Sequence, residues 1–208
     1  MNQFITLTLS FLLFQNIALA ESIRILEMKG SATETIGKTI YPLKIGEKLH
    51  LNSQIKVNAE SLVIIGLGKD VVTKLGPNSL ASISEKNKKD WELELVFGIS
   101  ASAIRNPEKR PDHFQVRSRS VVMGVRGTVF YTESLENKPI FLCTCKGTVK
   151  IEDQNGKQLD SITATHHDRP ITLEEDTQGK NITVKTAPMG SGHSDADVVY
   201  LENLLSKL

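Results

Sequence analysis

The chain has 208 residues, with 25 Lys and Arg against 24 Asp and Glu, a net charge of +1 and 5% aromatic residues. Near-neutral charge excludes a strong field toward nucleic acid or anionic lipid, and the few aromatics leave little platform for stacking bases or sugars. The length accommodates one domain, or one domain with an extension.

The first element in chain order is an export signal at 1–20. Residues 5–19 are almost all apolar or small hydroxyl residues, ending in Ala18-Leu19-Ala20, the small-x-small pattern a signal peptidase cuts after. No Lys or Arg falls in the first ten residues, so the terminal amine supplies the n-region charge. The apolar core is shorter than the about 20 residues that span a bilayer, and Gln15 and Asn16 interrupt it. Cleavage near Ala20 is expected, giving a periplasmic or secreted mature chain. With no second hydrophobic stretch, that chain is expected to have no transmembrane span.

Strand signals then follow one another. Residues 22–27 alternate weakly and stop at Lys29-Gly30; 43–48 surround Gly46; 54–57 alternate. Residues 61–67 form an apolar run, Gly68-Lys69-Asp70 reads as a tight turn, and 71–75 continue, which is a hairpin signal. Gly76-Pro77-Asn78 is a second turn. In 91–97, Trp91, Leu93, Leu95 and Phe97 share one face while Glu92 and Glu94 share the other. Residues 106–112, with two prolines and four charges, read as a surface loop. Further strands are expected at 113–117, 121–125, 128–132, 140–145 and 148–151. After the linker-like 188–192, Ser194 caps a helix with Asp195 and Asp197 in its first turn and Val198, Leu201, Leu205 and Leu208 at helical spacing.

Short strands at this spacing predict an all-β compact sandwich or roll of mostly antiparallel strands, closed by a C-terminal amphipathic α-helix. The expected organisation is a signal at 1–20, a β domain at 21–152, a β-rich extension at 153–187, and a linker with the helix at 188–208.

Gly124-Val125-Arg126-Gly127-Thr128-Val129-Phe130 resembles the signature of the FecR family of bacterial periplasmic domains. The likeness extends to Lys44-Ile45-Gly46-Glu47, to Leu75-Gly76-Pro77-Asn78-Ser79, to the Leu93-to-Gly98 strand and to Cys145-Lys146-Gly147-Thr148-Val149, covering roughly 22–152. The resemblance implies a signalling or assembly module. The family's founding members are transmembrane regulators that relay a receptor signal to a sigma factor through a cytoplasmic helical domain; the likeness here covers their periplasmic module only. Physically, Gly124 and Gly127 bracket Arg126, so the backbone there can bulge or take positive φ. Arg126 is expected along a strand, paired with a carboxylate or carbonyls. Gly124, Arg126, Gly127 and Thr128 are therefore read as a structural signature, not an active site.

The residues that could carry chemistry are Cys143 and Cys145. At i and i+2 of a strand they share a face, together with Phe141, Val149 and Ile151 unless Gly147 introduces a bulge. Three readings stand side by side. A disulfide suits an oxidising compartment, but the two Cα atoms of an extended strand lie about 6.6 Å apart, at the long edge of disulfide geometry. Plain core cysteines are the second. The third joins the thiols to His166, His167 and His193, downstream, as a thiolate–imidazole site for one transition-metal ion, zinc or iron. His166 and His167 would face opposite ways on a strand, whereas a turn would free both.

No nucleophile elbow, nucleotide loop or haem-attachment motif occurs, and no carboxylate pair stands out as an acid–base couple. The expectation is a non-enzymatic exported module with an envelope protein as partner and no nucleic acid, interacting through a strand edge or the terminal helix. The competing expectation is a metal-binding or thiol-redox protein centred on Cys143 and Cys145.

Overall fold

The structure is a computed structural model describing residues 23–87, 90–105, 113–176, 181–190 and 192–208. The export signal at 1–20 and the loop at 106–112 lie outside the described residues, as do the side chains of Asn87 and Arg126.

In chain order the strands are β1 (Ile23–Lys29), β2 (Ala32–Ile36), β3 (Thr39–Pro42), β4 (Gln54–Val57), β5 (Leu62–Leu67), β6 (Val71–Leu75) and β7 (Leu80–Asn87). There follow β8 (Asp90–Ile104), β9 (Phe114–Ser118), β10 (Val121–Ser134), β11 (Ile140–Asp153), β12 (Gln158–Ala164), β13 (Ile171–Glu175) and β14 (Ile182–Thr186), then the helix α1 (Asp195–Ser206).

Their hydrogen bonding resolves into two layers. One runs β1-β5-β6-β8-β10-β11-β13-β14; the other runs β3-β2-β4-β7-β8-β9-β10-β11-β12. Among the described residues only β8 with β9 is parallel. Three long strands belong to both layers. β8 pairs with β7 and β9 up to Phe97, then with β6 and β10 from Gly98 onward. β10 pairs with β9 before Arg126 and with β8 from Val129 onward, and β11 follows it on the other side. The sequence predicted a separate strand on each side of Gly127 and of Gly147; each pair is one bent strand.

The bends are glycine corners. Gly98 has φ +108 and Gly147 φ +94, in the left-handed half of the map where a Cβ is penalised. Neither has room for a side chain: a Cβ on Gly98 would lie 2.5 Å from the Cα of Ser79, and one on Gly147 would lie 2.4 Å from the carbonyl oxygen of Gly127. A hydroxyl clamps each corner. Ser79 Oγ accepts from Ile99 N at 2.9 Å and donates to Ile99 O at 3.2 Å. Thr128 Oγ1 accepts from Thr148 N at 3.1 Å and donates to Thr148 O at 2.9 Å. Gly124 by contrast is ordinary strand, opposite Lys150 and Gln115, and Arg126 lies opposite Thr148.

The main core fills the space between the layers, with Ile65, Leu75, Phe130, Leu142 and Leu173 from one meeting Ile55, Leu93, Phe114, Met123 and Val149 from the other. Ile162, Ile171 and Leu173 belong to it, so segment 153–187 builds onto the same sheet instead of standing apart. A second, smaller core lies outside the first layer. Ile64, Val72, Ala101, Val129, Tyr131, Cys143 and Cys145 project outward there and are covered by Leu201 and Leu205 of α1. Burying each of those leucines stabilises the docked helix by about 1.5–3 kcal/mol. This explains why 61–67 reads as a continuous apolar run: both faces of β5 are covered.

Three sequence expectations change. Phe97 is 42% exposed, off the face of Trp91, Leu93 and Leu95, because the register slips between Leu95 and Phe97 just before the Gly98 corner. Residues 43–48 form a loop joined to β1 by one bridge, Arg24 to Lys48, and by Gly46 N donating to Ile25 O. Strands β2, β3 and β7, unmarked by strong alternation, form the flank of the second layer.

A thiol–imidazole tetrad as the candidate functional site

β11 carries Cys143 and Cys145 on its outward face, between the inward Leu142 and the exposed Lys146. The corner at Gly147 reverses the parity of the strand, so Val149 and Ile151 point into the main core while both cysteines and Phe141 point toward the helix. The sulfurs are free thiols and both residues are buried.

Two histidines close on them from later in the chain. After β12 the backbone turns, and Asp168 stabilises the turn by accepting from Thr165 N at 2.8 Å and His166 N at 3.2 Å. His167 sits in the left-handed region at φ 49, and its N–H donates to Cys145 O at 3.2 Å. That places His167 Nδ1 3.4 Å from Cys143 Sγ. His193 arrives from the linker before α1, its ring stacked on Tyr131 with centroids 4.3 Å apart and planes inclined 15°. Its Nε2 lies 3.2 Å from His167 Nδ1. The approach needs a glycine before it, since a Cβ on Gly192 would fall 2.1 Å from the Tyr131 hydroxyl.

The ligand atoms of Cys143, Cys145, His167 and His193 all lie within 4.8 Å of one another. His166 does not join them. Its side chain is 71% exposed and its Nε2 lies 3.1 Å from Asp195 Oδ1. The same carboxylate oxygen is 3.0 Å from His167 Nε2. An N–H on His167 Nε2 donating to Asp195 leaves Nδ1 as the acceptor facing the thiols. Asp195 carried no sequence signal beyond its place in the first turn of a helix, and the stacking role of Tyr131 carried none.

The two thiols titrate as a pair. The Cys145 thiol donating to the Cys143 sulfur draws the Cys143 pKa down, burial opposes this, and His193 and His167 lower it further, to about 4. The same hydrogen bond to Cys143, together with burial, pushes Cys145 upward. Of the two sulfurs, Cys143 therefore has the greater thiolate character, the form that acts as nucleophile and metal ligand.

The helix that brings in His193 and Asp195 is anchored along its length. Ser194 and Asp197 form a reciprocal capping box, Lys74 Nζ meets Asp197 Oδ1 at 2.6 Å, and Lys146 Nζ meets Glu202 Oε1 at 2.7 Å. Arg105 donates to Leu205 O at 2.6 Å, and Tyr200 donates to Glu27.

Residues 52–150 match the FecR protein family. The chain carries a FecR domain. The matched segment contains Ser79, Gly98, Gly127, Thr128 and Gly147, the residues that form the corners and clamps of the fold. It begins beyond Lys44-Ile45-Gly46-Glu47 and ends before His167 and His193, so the tetrad draws two residues from the FecR domain and two from the segment after it. Two crystal structures of a candidate anti-sigma factor from Parabacteroides distasonis, at 1.65 and 2.50 Å resolution, share the fold. Each is 16% identical with a TM-score of 0.51, over 66% of this chain and 60% of that one. The chain therefore spans about 60% of those neighbours. No curated protein matches it.

Proposed function

We propose that this chain is an exported regulatory module that works in the cell envelope by binding another protein, without catalysis. The observation that carries the reading is the FecR domain over 52–150. The fold likeness to an anti-sigma factor candidate supports the same direction, since such a protein acts through protein contacts. The Ala18-Leu19-Ala20 pattern supports export. Among the described residues no helix is long and apolar enough to cross a membrane.

β3 supports a binding role. Among the described residues it stands at the edge of the second layer, paired only with β2, and all four of its residues are exposed, including Ile40 at 65% and Tyr41 at 48%. An edge with unpaired backbone groups accepts an extended segment of a partner as an added strand, with apolar side chains fixing its choice. A photo-crosslinking residue at Ile40, in cells of the native host, tests this. A discrete envelope-protein adduct, absent with the probe at the buried Leu93, is expected. Adducts from cytoplasmic proteins, or an unprocessed N-terminus upstream of Glu21, would overturn the exported-module reading.

A further inference from the structure

We propose that Cys143, Cys145, His167 and His193 form a tetrahedral site for a divalent transition-metal ion of the zinc type, held by two thiolate sulfurs, His167 Nδ1 and His193 Nε2. The donor set is the first ground. Two sulfurs and two imidazole nitrogens suit zinc in structural four-coordinate sites. The geometry is the second. With Zn–S of about 2.3 Å and Zn–N of about 2.0–2.1 Å, the edges of a tetrahedron run from about 3.3 to 3.8 Å. The His167 Nδ1 to His193 Nε2 distance is 3.2 Å and the Cys143 Sγ to His167 Nδ1 distance is 3.4 Å, with every remaining pair inside 4.8 Å. Little movement is needed to close the sphere.

The surroundings are the third ground. Asp195 holds His167 Nε2 at 3.0 Å, which turns the Nδ1 lone pair inward; a carboxylate behind a ligating imidazole is the arrangement that fixes its tautomer and raises its basicity. Tyr131 fixes the plane of His193 from the opposite side, leaving its Nε2 facing His167. His193 is 8% exposed and its Nδ1 has no hydrogen-bond partner among the described residues, so the fold satisfies only one of the two ring nitrogens of this buried imidazole.

The ion fastens three separate pieces of chain: the outward face of β11, the turn after β12, and the lead-in to α1. It therefore couples metal binding to docking of the helix over the second core. This rests on the tetrad alone, so absence of an envelope partner at β3 leaves it standing.

The test uses the full mature chain, reduced and stripped of metal anaerobically, then titrated with cobalt(II) and back-titrated with zinc(II). Expected are one ion per chain, intense visible bands of tetrahedral cobalt, a thiolate-to-cobalt charge-transfer band, and displacement by zinc. Cys143→Ser and His193→Gln should each weaken binding at least 100-fold, while His166→Gln leaves it unchanged. Asp195→Asn, a positioning substitution, should weaken it by about 10–100-fold while keeping the tetrahedral spectrum. Circular dichroism of each metal-free variant separates loss of ligand from loss of fold, and X-ray absorption of the wild-type zinc form counts its sulfur ligands directly. Substoichiometric binding, an octahedral spectrum without the thiolate band, fewer than two sulfurs, or equal loss in His166→Gln would overturn the proposal.

Discussion

Gly147 and Gly127 meet so closely across the corner of β10 and β11 that a Cβ on Gly147 would lie 2.4 Å from the Gly127 carbonyl oxygen. The contact lets both strands pass from one layer to the other with their pairing intact on either side. Gly147→Ala should cost about 3 kcal/mol, from the left-handed backbone plus the clash. Gly156, at φ +81 with open space around it, has the strained backbone without the contact, and its alanine variant should cost only about 1 kcal/mol. Equal losses in urea melts would show that the contact at the corner is not what matters.

The hydroxyl clamps should behave alike although they lie on unrelated stretches of sequence. Thr128→Val and Ser79→Ala each remove a group that both donates to and accepts from one backbone residue, Thr148 or Ile99. Each should lower stability by about 1–3 kcal/mol, the cost of leaving largely buried backbone groups unsatisfied. Amide exchange offers the finer check: protection should fall first at Thr148 and Ile99 respectively.

Leu201 is the apolar anchor of α1, 1% exposed in the second core. Leu201→Ala should destabilise the docked helix by about 2–4 kcal/mol. The loss should appear as early amide exchange throughout α1 while the main core keeps its protection, because the two cores share β-strands but not side-chain faces. Simultaneous loss of both cores would show that the helix is integral to the sandwich.

Glu92 supplies a pH dependence. Burial pushes its carboxyl upward, but hydrogen bonds from Lys86, Arg117 and Gln115 together outweigh this and leave it below the ordinary range. Lys86 Nζ stands at 2.8 Å and Arg117 at 3.3 Å. A depressed carboxyl contributes stability above its unfolded pKa of about 4.3 and loses it as pH falls through the folded value. Stability should decline in acid below about pH 4.3, and Glu92→Gln should reduce that slope while lowering stability at neutral pH. An unchanged acid limb in denaturant melts from pH 2 to 7 would contradict the role given to this cluster.

The site was half legible from the sequence. Cys143 and Cys145 share a face by strand parity alone, and His193 sits just ahead of a capped helix, so its delivery to the sheet could be anticipated. The choice of His167 over its neighbour could not. It depends on a turn clamped by Asp168 and on a left-handed backbone at His167, neither of which follows from two adjacent histidines. Asp195 read as a helix-start charge, and its place behind His167 appears only when α1 lies across β11.

What the sequence by itself determined is local: the 68–70 hairpin turn, the Ser194 cap, the spacing of Leu201 and Leu205, and the glycines of the FecR signature. These depend on backbone sterics and on periodicities of two and 3.6 residues, which act between near neighbours. What only the tertiary structure decided is which side of a strand meets which core. Parity runs unbroken through 143 and 145 but reverses at Gly147, because the strand bends there against Gly127, a residue 20 positions earlier held close by the β10–β11 register. That bend turns the two thiols away from the main core and toward the helix, where His167 and His193 meet them.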